Sequence, residues 1–359
     1  MAINKNKAKK ALANINKFAK INQMKNREWY SIQSLHGNAN WAIFFILLAS
    51  REFGKSYAVM EYFLRERHIK NNPFYWIRLT KESRIRMLKD NAKEFVDADL
   101  RRKYNLELTV RGRDVYDHGH KMASIYDLST AAKDKGVALF DKDFLKKPNM
   151  KYLICMDEFQ EEKGERKTMN DIVYNFLMQM ENLVRSTKEP GKIKIFLVAN
   201  MLEDASDILT CFNFIPMQFG RFKLKSRKCV IDYPEPTEAY KERRKGSISD
   251  LLLGNDVSNY TNKMNSDTSI LYTGVLRKPT GVIKFTKDLK FTIWDSYIIS
   301  EYKNENKPIT AMRPYIDETF IPKNRDEVIS NFDTRTYLYR NMITFKRFQK
   351  AIMDVKPRK

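Results

Sequence analysis

Apolar residues come along this chain in two rhythms. Ile43-Phe44-Phe45-Ile46-Leu47-Leu48 is an unbroken apolar run, the pattern of a strand buried on both faces. Behind it Ala58, Val59, Tyr62 and Phe63 recur on one side of a helix. The runs 74–77, 152–156 and 195–199 repeat the strand signal. Between the last two, Val173, Phe176, Leu177, Met180 and Val184 keep helical spacing. Buried strands alternating with amphipathic helices predict a mainly parallel α/β sheet covered on both faces.

The rhythm changes after about Lys225. Residues 232–267 hold Pro234, Pro236, the charged run Glu242-Arg243-Arg244-Lys245 and many Ser, Asn and Asp, which is linker composition. A short helix is expected around 248–253. From Ser269 the chain reads as a β-meander over 270–276, 282–286 and 291–299. Lys278-Pro279-Thr280-Gly281 is expected as the turn joining the first two strands. Leu338, Met342, Phe345 and Ile352 fit a closing helix with a basic opposite face. The expected organisation is a basic arm (1–30), an α/β domain (31–228), a linker (229–266) and a smaller C-terminal domain (267–359).

Composition narrows the function. The 359 residues carry 66 Lys and Arg against 44 Asp and Glu, a net charge of +22, and a chain this basic is expected to work against a polyanion. Eight of the basic residues and no acid lie in the first 27 positions, either a solvated tail or a nucleic-acid contact. Three scattered Cys exclude a disulfide scaffold, and four His make a His-rich metal centre unexpected. The longest apolar run, from Trp41 to Ala49, is nine residues, well short of the roughly 20 of a spanning helix. The start lacks a secretory pattern, so a cytosolic protein with no membrane partner is expected.

The strongest motif is Ala49-Ser50-Arg51-Glu52-Phe53-Gly54-Lys55-Ser56, between a buried strand and a helix, the setting of a phosphate-binding loop. Such a loop turns backbone N–H groups around a phosphate at a helix N-terminus. Gly54 lets the backbone come close, Lys55 reaches the β- and γ-phosphates, and the Ser56 hydroxyl ligates Mg²⁺. Arg51 either adds a second cation near the phosphates or braces the loop against an acid such as Glu52. Hydrolysis of ATP needs carboxylates as well. Asp157 and Glu158 end the strand at 152–156, Asp157 as the Mg²⁺ holder and Glu158 as the general base for water. Asn200 ends the next strand, where it either senses the γ-phosphate or forms a turn. Arg185, at the end of the amphipathic helix, reads as an arginine finger or as a solvated helix end.

These residues resemble a family. The loop from Ser50 to Ser56 is similar to the arginine-containing phosphate loop of phage terminase large subunits. Asp157-Glu158-Phe159 and the succession helix, Arg185, strand, Asn200 resemble the small genome-packaging ATPases of phi29-like phages. Val110-Arg111-Gly112-Arg113 with Tyr116, Asn213-Phe214-Ile215-Pro216, Arg221-Phe222, residues 242–245 and Phe332-Asp333 follow in the same order. The resemblance covers about residues 40–350, weakly after 255.

It implies a P-loop NTPase domain of the additional-strand, catalytic-glutamate class, with an α+β RNase-H-like C-terminal domain that has lost its nuclease acids. It also implies a homopentameric ring at the portal (connector) of a prohead, scaffolded by a prohead RNA. That ring would drive double-stranded DNA inward by ATP hydrolysis in the host cytoplasm, and would be absent from the mature virion. Carried over by position, Arg185 acts in trans. Lys135 matches a second trans-acting lysine, with Lys133 close by, and Lys81 and Lys163 match loop positions facing DNA. Alternatives are a helicase-like P-loop ATPase, a terminase whose C-terminal nuclease is active, and a basic nucleic-acid-binding protein with an inert loop. Asp295, Asp317 and Glu318 are the candidate nuclease acids, and they do not assemble a convincing two-metal set.

Overall fold

The computed structural model describes residues 28–32, 39–134, 151–160, 172–184, 190–200, 206–216, 219–248, 251, 268–277, 279–286, 289–302, 313–314 and 325–356. The basic arm before Glu28, together with Lys135, Lys163, Arg185, Asp317 and Glu318, lies outside these residues.

A nine-stranded sheet dominates. Its strands are β1 (Phe44–Leu48), β2 (Phe74–Arg78), β3 (Leu108–Arg111), β4 (Asp114–Asp117), β5 (His120–Asp127), β6 (Tyr152–Asp157), β7 (Ile193–Ala199), β8 (Gly220–Leu224) and β9 (Cys229–Tyr233). Their order is β3-β4-β5-β2-β6-β7-β1-β9-β8. The six strands from β5 to β9 are parallel, and antiparallel pairs close both edges. β7 stands between β1 and β6, so the strand ends carrying the loop that begins at Ala49, Asn200 and Asp157 are neighbours.

The apolar runs form these strands because both faces are covered. β6 and β7 are buried along their whole length. Helix α1 (Lys55–Lys70) buries Ala58, Val59, Tyr62 and Phe63 against the sheet. There Phe63 meets Phe74, Trp76 and Phe196 edge-on. Each such ring contributes about 1.5–3 kcal/mol by leaving water. Asn71, at φ 51°, ends α1 in the left-handed region that asparagine tolerates. Helices α2 (Lys81–Ala92) and α3 (Ala98–Lys103) follow β2. α2 is tied to the end of β5 by the buried ion pair Arg84–Asp127 at 2.8 Å.

Several expectations are corrected. Strands β3, β4, β5 and β8 carry too mixed a pattern to stand out. In β5, for example, Ser124 is buried and donates to Asp114 at 2.6 Å. Residues 229–233, expected as the start of a linker, are the fully buried β9, which pairs with β1. Their Cys-Val-Ile core is too short to stand out beside Pro234 and Pro236. On helix α4 (Ile172–Val184), Phe176, Met180 and Leu183 are buried, but Leu177 is exposed.

The chain divides into two compact units, 1–203 with 216–264 and 204–215 with 265–359. Helix α5 (Asp207–Cys211) therefore belongs with the second unit, where Asp207 faces Lys346 at 3.6 Å. Next in the chain is α6 (Glu238–Arg244), in the first unit.

The second unit holds a mixed sheet of β10 (Pro279–Lys284), β11 (Lys290–Trp294), β12 (Ile298–Glu301), β13 (Arg313–Pro314) and β14 (Leu338–Tyr339), ordered β13-β10-β11-β12-β14. It also holds helices α7 (Arg325–Asp333) and α8 (Met342–Val355). Phe348 of α8 packs among Phe285, Phe291, Tyr337 and Tyr339.

The meander is present, but its boundaries move. Residues 268–270 form a 3-10 turn, and Leu271 makes a single bridge to Tyr339. Pro279 starts β10 rather than a turn, since a first strand position asks no N–H of it. Asp295 (φ 48°) and Ser296 (φ 70°) form the tight turn that splits 291–299 into β11 and β12. Asp295 is thus a turn residue, not a strand acid. Leu338 lies in β14, before the last helix.

Candidate nucleotide-binding site

The site forms where parallel strands end. β1 runs into the buried Ala49 and Ser50, the loop turns through Arg51, Glu52 and Phe53, and Gly54 caps α1. Gly54 has φ 83° and Glu52 has φ 58°, both left-handed. A Cβ on Gly54 would stand 3.2 Å from the Trp29 ring, so this position needs glycine for its backbone and for its space. Arg51 and Glu52 are exposed. The carboxylate of Glu52 pairs with Arg244 of α6.

Lys55 is buried at the loop's centre. Its ammonium donates to the carbonyls of Ala49 (2.8 Å) and Ser50 (2.7 Å) and to Asn200 Oδ1 (2.9 Å). Burial pushes its pKa down to about 8, Asp157 opposes that shift, and Arg51 adds to it.

Asp157 ends β6 and is buried. It accepts from Ser56 Oγ at 2.8 Å and from Arg78 at 2.9 Å. Burial lifts its carboxyl above the ordinary aspartate value, while the Arg78 charge pulls against that shift. Glu158 has φ 58° and a side chain 59 % exposed, and it pairs with the other arm of the same Arg78 guanidinium. Ser56 and Asp157 are hard oxygen donors, and one carboxylate with a hydroxyl is a protein share suited to Mg²⁺, which keeps phosphate and water ligands besides.

Of the residues singled out in the sequence, the structure brings together Ala49 to Ser56, Asp157, Glu158 and Asn200. Lys81 is exposed at the start of α2, where the Thr80 side chain caps the helix through Ser83 N–H. Arg78 escaped sequence reading. Its signal was a lone cation at the end of the apolar run Phe74–Ile77, and β2 pairs with β6 in a register that sets Ile77 beside Met156. Tyr30 and Tyr240 beside the loop were also missed, and Arg243, noted only within the charged run 242–245, was not linked to the loop.

The sequence model of the podovirus DNA encapsidation protein (Gp16) family matches residues 24–331. No curated protein sequence matches the chain. Among solved structures, the Phi-28 gp11 DNA packaging motor is similar with a TM-score of 0.61 at 14 % identity, covering 92 % of this chain and 100 % of that one. The bacteriophage Phi-29 viral genome packaging motor assembly is similar with a TM-score of 0.58 at 19 % identity, covering 90 % of this chain and 100 % of that one. At these identities the likeness shows a shared fold.

Proposed function

The chain belongs to the podovirus DNA encapsidation protein (Gp16) family and serves DNA packaging, and we propose that it does so as an ATP-hydrolysing motor that moves double-stranded DNA into a phage prohead. The observation that carries this reading is the meeting of Lys55, Ser56, Asp157 and Asn200 at adjacent strand ends.

The loop N–H groups and Lys55 hold the β- and γ-phosphates. Ser56 and Asp157 would hold Mg²⁺, which, when bound, neutralises charge on the transferring phosphoryl oxygens. Asn200 orients the γ-phosphate or the attacking water. Glu158, exposed at the strand end, accepts the proton of that water. For this its carboxylate must turn from Arg78 toward the phosphate.

Arg185 and Lys135, carried over from the family resemblance, act on a neighbouring subunit's nucleotide. Each site then fires only when its neighbour is placed, as a ring (a pentamer on the same resemblance) requires. Lys81 and Lys163 face DNA. The net charge of +22 suits a grip on phosphates without base reading. The portal and a prohead RNA are the partners, and the place of work is the portal vertex of the prohead in the host cytoplasm.

The test is ATP turnover against protein concentration, with and without duplex DNA. Steep concentration dependence and DNA stimulation are expected. Arg185→Ala should keep ATP binding and lose about 10³–10⁵-fold in stimulated rate. DNA binding with no turnover at any concentration would favour the inert-loop alternative, and strand displacement would favour a helicase.

A further inference from the structure

From Ala49 to Gly54 every carbonyl of the loop has a partner, and the partners fall into two sets. Ala49 O and Ser50 O accept from Lys55, and Gly54 O accepts from Ala58 N–H at 2.9 Å inside α1. The three carbonyls between them are taken from outside the loop. Arg51 O accepts from the Tyr240 hydroxyl at 2.8 Å. Glu52 O accepts from the Arg243 guanidinium at 2.6 Å. Phe53 O accepts from Tyr30 N–H at 2.8 Å.

These donors are themselves fixed. Tyr240 is buried in α6 with its ring edge-on to Phe53, centroids 5.2 Å apart. Arg243 lies 3.7 Å over the Trp29 ring and pairs with Glu28 at 3.2 Å. Tyr30 donates its hydroxyl to Asp232 at 2.6 Å, and Arg221 holds Asp232 from the other side at 2.9 Å.

A trans peptide unit points its C=O and the following N–H in opposite directions. Tying the carbonyls of Arg51, Glu52 and Phe53 outward therefore turns the N–H groups of Glu52, Phe53 and Gly54 to the loop's other side, where an anion is bound. Glu52, held at φ 58° without a glycine's freedom, also needs such restraint. We propose that Tyr240, Arg243 and Tyr30 are positioning residues that preset the phosphate-binding N–H groups of the loop. They touch no phosphate and act through the backbone. The proposal rests on the loop being the nucleotide site, as argued above.

The experiment measures binding of MgATP and of inorganic tripolyphosphate to the full chain by calorimetry, well below the melting temperature, for Tyr240→Phe, Arg243→Leu, Arg243→Lys and Lys55→Ala. Tyr240→Phe deletes only the hydroxyl, and it should weaken both ligands by a similar factor, about 2–10-fold, the worth of one neutral hydrogen bond. Arg243→Leu should weaken both further, and Arg243→Lys, which can still donate, should recover part of that loss. Equal loss for the two ligands is the sign of a phosphate effect, because tripolyphosphate has no base or ribose. A merely structural role would lower melting temperature and leave the affinity of the folded protein unchanged. If Lys55→Ala abolishes tripolyphosphate binding while Tyr240→Phe and Arg243→Leu bind like the unsubstituted chain, the positioning role is overturned. If Lys55→Ala itself binds normally, the site reading fails instead.

Discussion

Ser56 Oγ donates to Asp157 Oδ1 across 2.8 Å, closing a gap of 101 positions in sequence. The pair joins the first turn of α1 to the last residue of β6. If these two oxygens form the protein's share of a Mg²⁺ site, Ser56→Ala and Asp157→Asn should each raise the Mg²⁺ concentration needed for ATP turnover. Asp157→Asn should also cost at least about 10²-fold in maximal rate, because several kcal/mol of charge stabilisation depend on the ion. A magnesium titration of turnover in each variant checks this. Unchanged half-saturation in both would remove the metal assignment.

Arg78 grips Asp157 and Glu158 with one guanidinium. Glu158→Gln should therefore keep ATP bound while lowering hydrolysis by about 10²–10⁴-fold, the usual worth of a general base. Arg78→Ala should leave Asp157 buried without its counter-charge and reduce Mg²⁺-dependent turnover. Filter retention of labelled ATP beside single-turnover kinetics separates the two. Normal turnover in Glu158→Gln would assign the base elsewhere.

The pH dependence follows from Lys55. Burial pushes the pKa of its ammonium down to about 8, and the negative charge of a bound phosphate would raise that value. A group whose pKa is raised by the ligand binds best while protonated. Affinity for ATP should be full below about pH 8 and fall as pH rises through it, toward about tenfold per unit. On the acid side, burial lifts Asp157, so metal-dependent turnover should decline from a higher pH than an ordinary aspartate would give. Calorimetric affinities between about pH 6 and pH 9.5 test the first part, and a flat alkaline limb would contradict it.

Lys81 stands exposed at the head of α2, directly after the strand that carries Arg78. As a DNA-phosphate contact, Lys81→Ala should weaken duplex binding equally across sequences and shrink the salt slope of log K by roughly one. Fluorescence anisotropy over a salt series measures both. A sequence-dependent loss, or an unchanged slope, would take Lys81 out of the DNA path.

Much of the core and the loop was legible in the sequence because each signal is local. An apolar run of four to six residues is too short for a typical helix and fits a strand buried on both faces, so β1, β2, β6 and β7 were readable one at a time. The loop from Ala49 to Ser56 was readable as a strand-to-helix connection because Gly54, Lys55 and Ser56 stand within one turn of chain. The acid pair was readable because it sits at the end of such a run.

Tertiary structure decided what depends on groups far apart in the chain. Pairing of β9 with β1 turned residues 229–233, whose surroundings look like linker, into a sheet strand. The parallel register of β2 and β6 brought Arg78 to Asp157 and Glu158, which neither segment encodes alone. Packing of α6 against the loop gave Tyr240 and Arg243 their carbonyl partners, separated by 189 and 191 positions. Patterning reports which side chains must leave water, a property of each residue and its near neighbours. Which donor meets which acceptor is set only when strands choose their order, since the buried polar groups then available must satisfy one another.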